Sequence, residues 1–183
     1  LNGSPRSLSC KLLDTFFLFT DASFNRDTGA GLGAVLISGT GQVLSWFGLQ
    51  RDTKSLSFFL TENRETIIGE METLSVSMSI LLWGDLLHSS QLVIYIDNEG
   101  ARFSLIKGYS DSRPITAICA LTAVALDRHV ILPWYSRAPS SSNLADFPSR
   151  DSPHQLLRKE AQAPRAEVLR VFQESLNFLR KFG

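Results

Sequence analysis

Two apolar runs in this chain end in an aspartate. Phe16-Phe17-Leu18-Phe19 leads through Thr20 to Asp21, and Leu92-Val93-Ile94-Tyr95-Ile96 leads to Asp97. Each run reads as a strand buried on both faces. Packing gives such a strand no reason to finish on an ionised carboxylate, and burying one unpaired is costly. An aspartate after a strand also serves as a turn or helix-cap residue, the plainer reading of either one alone. Taken together they say more. If the two strands are parallel neighbours, both carboxylates emerge at one edge of a sheet, where they repel each other unless a metal ion or a proton intervenes. Two further acids belong to the same search: Glu72 within a helical run, and Asp146 in Asn143-Leu144-Ala145-Asp146.

The spacing between these acids supplies the elements that must position them. After the first strand, Asn25-Arg26-Asp27-Thr28-Gly29 is a turn cluster. Gly31 to Ser38 and Gln42 to Leu49 read as strands joined by Gly39-Thr40-Gly41, giving an antiparallel meander. Gly29, Gly31 and Gly33 enter a strand, whereas a phosphate-binding loop leads from a strand into a helix, so that reading is rejected. Ile67, Met71, Leu74, Met78, Leu81 and Leu82 recur at helical spacing, which predicts a long helix to about Leu87 with its stripe on the sheet. Glu72 lies beside that stripe on the flank of Ile68 and Ser75, where simple solvation would explain it equally well. Glu70 falls on the outer face. A strand, a crossover helix and a second strand should be parallel with a right-handed connection. The change from hairpin to crossover is the kind of switch point where α/β sheets place their sites.

Farther on, Asn98 to Lys107 and Arg113 to Asp127 read as short helices, with Pro114 suited to the first turn of the second. Val130 to Tyr135 is a fifth strand and Ser136 to Ser142 a loop. Asn143 is placed to cap the short helix that Asp146 opens. Residues 154–182 read as helical with a break at Pro164. Beyond it Val168, Leu169, Phe172, Leu176, Leu179 and Phe182 form an apolar stripe, with Phe178 to one side.

Composition bounds the possibilities. At 183 residues the chain suits one domain with a real core, and 44% hydrophobic with 20% charged residues is ordinary for a globular protein. Lys and Arg number 18, as do Asp and Glu, so net charge gives no global pull toward nucleic acid and any such surface is a local patch. Cys10 and Cys119 read as two reduced, inert thiols rather than a disulfide framework. No uninterrupted apolar run reaches transmembrane length.

Asp21, Glu72, Asp97 and Asp146, in that order on those elements, resemble the ribonuclease H family. Phe-Thr-Asp-Ala-Ser at 19–23 resembles its first catalytic strand, Glu72-Thr-Leu-Ser its helix motif, Tyr-Ile-Asp-Asn its fourth-strand motif and Asn143-Leu-Ala-Asp146 its last. The helix motif is the reason for preferring Glu72 to Glu70. The string from Ser141 to Arg150, with its Asn-Leu-Ala-Asp-Phe-Pro-Ser-Arg, is most similar to ribonuclease H domains that accompany reverse transcriptases in DIRS-type and related retroelements. The resemblance implies an α/β, ribonuclease H-like fold: a five-stranded mixed sheet flanked by helices over residues 16–150, with an N-terminal arm at 1–15 and a C-terminal helical extension at 151–183. It implies a two-metal endonuclease that cleaves RNA in RNA–DNA hybrids, with all four carboxylates as catalytic residues and metal ligands. Hard oxygen ligands suit Mg²⁺ or Mn²⁺, two ions in number. Arg26, Lys107, Arg113 and Arg137 are the candidate nucleic-acid contacts. Many family members carry a His in the loop before the last Asp, and residues 136–142 contain none.

A second expectation comes from another class. A captured, noncatalytic ribonuclease H-like subunit would serve a structural role in a larger protein or ribonucleoprotein assembly, docking through the stripe in 154–182. Neutral net charge, the absent loop His and the added helix favour it, whereas four intact acids favour the enzyme. Integrases and resolvases share the superfold, but integrases usually carry their Glu much later in the chain.

Overall fold

The computed structural model describes residues 13–60, 65–152 and 154–182; most of the expected arm at 1–15, with Cys10, lies outside them. The organising element is β1 (Thr15–Asn25), whose ladder with β2 (Gly29–Ser38) runs from Phe16↔Ser38 to Asn25↔Gly29. Gly29 turns this hairpin at φ 111°, a left-handed conformation that glycine alone adopts without strain. β3 (Val43–Arg51) continues the antiparallel meander.

On its other side β1 pairs in parallel with β4 (Gln91–Ile96), and β4 pairs in parallel with β5 (Leu132–Arg137). The five-stranded mixed sheet has the order β3-β2-β1-β4-β5. β5 starts later than the sequence suggested, because Val130 takes φ 55° in a turn. The parallel pairing of β1 with β4 stops at Phe19↔Tyr95. From Thr20 onward that edge of β1 is open, and the carboxylates gather there.

Between β3 and β4 runs α1 (Ile68–Trp83), shorter than the expected end at Leu87. Its environment differs from the expected stripe: Glu70 through Ile80 is buried without a break. The cause is that α1 is covered on more than one side, by β1 and β2 and by the helices α3 (Arg113–Arg128) and α5 (Arg165–Phe182). Two of its buried hydroxyls bond back into the helix, Thr73 Oγ1 to Gly69 O at 2.7 Å and Ser79 Oγ to Ser75 O at 2.7 Å. α2 (Glu99–Lys107) is capped by Asn98, whose Oδ1 accepts from Ala101 N, and ends on Gly108.

Past β5 the chain crosses to the other face of the sheet. Leu32, Ala34 and Leu36 join the core with α1, while the alternate positions Gly31 and Gly33 meet the short helix α4 (Asp146–Ser149). Residues 154–163, expected to be helical, instead run irregularly along β3 with a single 3-10 turn at Lys159–Ala161. Trp46 holds them there, donating from Nε1 to Arg158 O at 2.8 Å and accepting from Ala163 N at 2.8 Å.

In α5, Val168, Phe172, Leu176 and Leu179 are buried, together with Val171 and Ser175, against α1 and α3. Phe182, 63% exposed, stands outside this contact. Most of the stripe is therefore covered by its own domain, the ordinary place of a terminal amphipathic helix.

Candidate active site

The open edge of β1 is where the acids meet. Asp21 is 4% exposed and Glu72 3% exposed, so the two most deeply buried acids of the site share it. Asp97 follows the last residue of β4 and Asp146 opens α4. Electrostatic coupling links Asp21 to Asp97 and Asp146, and Glu72 to Asp21 and Asp97. All four sequence-selected acids therefore lie at one sheet edge. The two glutamates of α1 lie in different surroundings. Glu70 is buried rather than on the outer face, and accepts a hydrogen bond from Ser112 Oγ at 2.8 Å, on the side of α3.

Asp21, Glu72 and Asp146 have identifiable supports. Ser75 Oγ of α1 donates to the backbone carbonyl of Asp21 at 3.0 Å, fixing α1 against β1. Glu72 accepts from the Ala22 backbone N–H, while its Oε2 is buried with no hydrogen-bond partner among the described residues. The Asp21 carboxylate accepts from Ser149 Oγ on Oδ2, and Asn143 Nδ2 stands 3.5 Å from Oδ1. Asn143 is fully enclosed and donates to Thr20 O at 2.9 Å. Its amide nitrogen thus serves β1 while its Oδ1 accepts from Ala145 N at 3.2 Å, just ahead of α4; the cap position itself is Ala145, which makes no side-chain cap bond. Arg150 Nε donates to Asp146 Oδ1 at 2.6 Å across an exposed pair.

Burial is the main force on the protons here. It pushes Asp21 up to about 6, against the Ser149 hydrogen bond, with Asp146 and Asp97 adding to the rise and Arg150 opposing it. Burial pushes Glu72 up to about 9, reinforced by the charges of Asp21 and Asp97 and only partly offset by the Ala22 N–H. At neutral pH the cluster therefore keeps a proton on Glu72, or takes a cation in its place. The donors are all hard carboxylate oxygens, the chemistry of Mg²⁺ or Mn²⁺. Among the described residues, no three His, Cys, Asp or Glu side chains stand at metal-holding spacing. In donor type, charge and orphaned oxygen the residues fit a divalent ion; in spacing the cluster is open.

The basic residues divide differently. Arg137 pairs in register with Ile96, one residue before Asp97, and bonds Glu99 at 3.3 Å. Arg26 sits in the β1–β2 turn, Lys107 at the end of α2 and Arg113 at the start of α3, all exposed and on separate segments. Sequence reasoning missed Arg150, which touches the site directly. A cleft of about 810 Å³ opens beside it, lined by Ser23, Asn25, Thr28, Gln50, Arg51 and Arg150 among others. None of the four carboxylates lines this cleft.

Sequence reasoning also missed what holds α4 down. Gly33 faces Asp21 in the β1–β2 ladder and Gly48 in the β2–β3 ladder. A Cβ on Gly31 would fall 1.7 Å from Ser149 O, on Gly33 2.5 Å from Ser149 N, and on Gly48 2.5 Å from Pro148 O. These glycines form a bare floor on which the 148–149 backbone lies. Ser23 Oγ and Gln50 Nε2 then clamp Ser149 O at 2.9 and 2.8 Å. The signal was present in the sequence, as glycines spaced to share one sheet face.

Among solved structures, the chain is similar to the N-terminal RNase H domain of a Mycobacterium tuberculosis protein, with TM-score 0.59 and 13% identity over 75% of this chain and 98% of that one. It is similar to LC11-RNase H1 solved in complex with RNA/DNA hybrid, with TM-score 0.60 and 17% identity over 75% and 95% of the two chains. It is also similar to a foamy viral protease-reverse transcriptase in complex with RNA/DNA hybrid, with TM-score 0.52 and 11% identity over 82% of this chain and 21% of that one. No protein-family model and no curated protein sequence matches the chain. These likenesses establish the fold, which is that of ribonuclease H.

Proposed function

We propose that this chain, with its ribonuclease H fold, is a metal-dependent endonuclease that hydrolyses the RNA strand of RNA–DNA hybrids. The observation that carries the reading is the convergence of Asp21, Glu72, Asp97 and Asp146 from four elements onto one sheet edge, two of them nearly inaccessible. A scaffold has no use for acids whose charges oppose one another in a buried site. Asp21, the most central, would hold the metal together with Glu72, Asp97 and Asp146. Mg²⁺ or Mn²⁺ held there, two ions on this reading, would supply an activated water and stabilise a leaving oxygen. Glu72 would lose its proton in favour of that charge, Arg150 orients Asp146, and Ser75 keeps α1 in register with β1. Arg137 beside Asp97 and the exposed Arg26, Lys107 and Arg113 are assigned to phosphates. Hybrid is distinguished from DNA duplex by the 2′-hydroxyl and groove shape rather than by base reading. The motif string 141–150 and the likeness to a foamy viral reverse transcriptase support a retroelement-type domain.

The open spacing of the carboxylates and the loop without His favour a second reading, a noncatalytic domain of the same fold. One experiment separates the two. The purified chain is incubated with Mg²⁺ or Mn²⁺ and a hybrid, with RNA-only and DNA-only duplexes as controls and Asp21→Asn beside the wild type. Cleavage of the hybrid alone, lost in the variant and on chelation, is the expected result. Absence of cleavage with either metal, or equal cleavage by the variant, overturns the enzymatic reading.

A further inference from the structure

We propose that Ser149 is a positioning residue for Asp21, and that the glycine floor exists to bring its hydroxyl there. The proposal rests on the metal-binding reading of the carboxylates and adds a residue to which that reading gave no role. Ser149 is fully buried, and its Oγ has two acceptors in reach: Asp21 Oδ2, and the Asp146 carbonyl at 3.0 Å. A serine hydroxyl has one proton to give. An ionised carboxylate is the stronger acceptor, so the proton is directed to Asp21. This leaves Oδ1 as the oxygen without the Ser149 bond, with Asn143 Nδ2 3.5 Å away. The hydroxyl therefore sets the rotation of the carboxylate and decides which oxygen is offered to a cation.

The reach of that hydroxyl depends on the backbone beneath it. At three neighbouring positions the floor has no side chain, and a methyl group at any of them would collide with backbone atoms of Pro148 or Ser149. The Ser23 and Gln50 bonds to Ser149 O then prevent the residue from rotating away. Through the same four-residue helix Ser149 also links Asp21 to Asp146, so the two carboxylates that start and end the site are set by one rigid piece. Removing such a support from a metal ligand typically costs 10–100-fold in metal affinity.

The test is Mn²⁺ titration by calorimetry on the full chain, with thermal unfolding of each protein measured alongside. Wild type and Asp21→Asn report on the metal reading itself. Ser149→Ala reports on positioning, and Ser175→Ala, which removes an equally buried hydroxyl that bonds only Val171 O within α5, reports on the structural cost of such a loss. Ser149→Ala is expected to lose at least about tenfold in Mn²⁺ affinity while melting near Ser175→Ala, which keeps its affinity within about twofold. If Ser149→Ala fails to fold, Ser149→Cys, of similar size with a weaker donor, replaces it in the same titration. Wild-type affinity in the Ser149 variant while Asp21→Asn has lost binding overturns the positioning role and leaves the metal reading standing. No binding by wild type overturns both.

Discussion

The raised proton affinity of Glu72 makes a stability prediction that needs no substrate. Its carboxyl titrates near 4.5 when solvated and at about 9 in the fold. Between those values the folded state holds a proton that the unfolded chain has released, so stability is full below pH 4.5 and falls as pH rises toward 9. Asp21 adds to the same trend only between 3.8 and about 6. The interval from pH 6.5 to 8.5 therefore isolates Glu72. Linkage removes up to 1.36 kcal/mol per pH unit, a ceiling of about 2.7 kcal/mol over that interval. For a domain of this size that lowers the melting temperature by roughly 5–10 °C. Glu72→Gln cannot release the proton and should flatten the dependence; the difference between the two slopes cancels the histidines, which both proteins share. The assay is thermal unfolding in chelator at pH 6.5, 7.5 and 8.5. Added Mg²⁺ should restore wild type most at pH 8.5, where it replaces a lost proton. Equal slopes for variant and wild type would refute the reasoning, and so would a wild type that gains stability across the interval.

The remaining predictions concern packing. Gly33→Ala places a methyl 2.5 Å from Ser149 N and 2.7 Å from Ala145 O, both backbone atoms, so urea unfolding should show a loss of about 1–3 kcal/mol and Mn²⁺ affinity should fall with it. An unchanged midpoint would mean that the floor has room to spare. Phe172→Ala, at a residue 2% exposed under α1, α3 and the Arg51 guanidinium, should cost about 3–5 kcal/mol by the same measurement. A cost below about 1 kcal/mol would return α5 to the status of a docking helix.

The sheet was legible because its strands are written in two distinct alphabets. Phe16 to Phe19 and Leu92 to Ile96 are apolar on both faces, as parallel central strands are, while the glycine-punctuated segments at 29–51 spell a meander. Asp21 and Asp97 were legible for the same reason, since each ends an apolar run, whereas Glu72 and Asp146 stood out only through the resemblance of their motifs. Glu70 misled because periodicity places a residue relative to one packing partner, and α1 has several. Asn143 was legible in part: its Oδ1 accepts from Ala145 N ahead of α4, but only the path of the chain over β1 assigns its amide nitrogen to Thr20. Residues 154–163 carry helix-forming side chains, yet the bonds to Trp46 on β3 hold them extended, a tertiary contact that local propensity does not encode. Ser149 escaped notice because its role depends on three glycines more than a hundred residues upstream.

The hydrogen bond from Ser149 to Asp21 spans 128 residues, whereas β1, β2 and β3 are joined by short turns. This sets an order in time. The meander can form from local pairings, the β1–β4 ladder must wait for a crossover of some seventy residues, and α4 can settle on its floor only after both. While the protein is being synthesised, Asp21 is made well before Ser149 and stays in water, free of the desolvation that later raises its proton affinity. The cost of assembling like charges thus falls at the end of folding, when nearly all of the apolar core that offsets it is already in place.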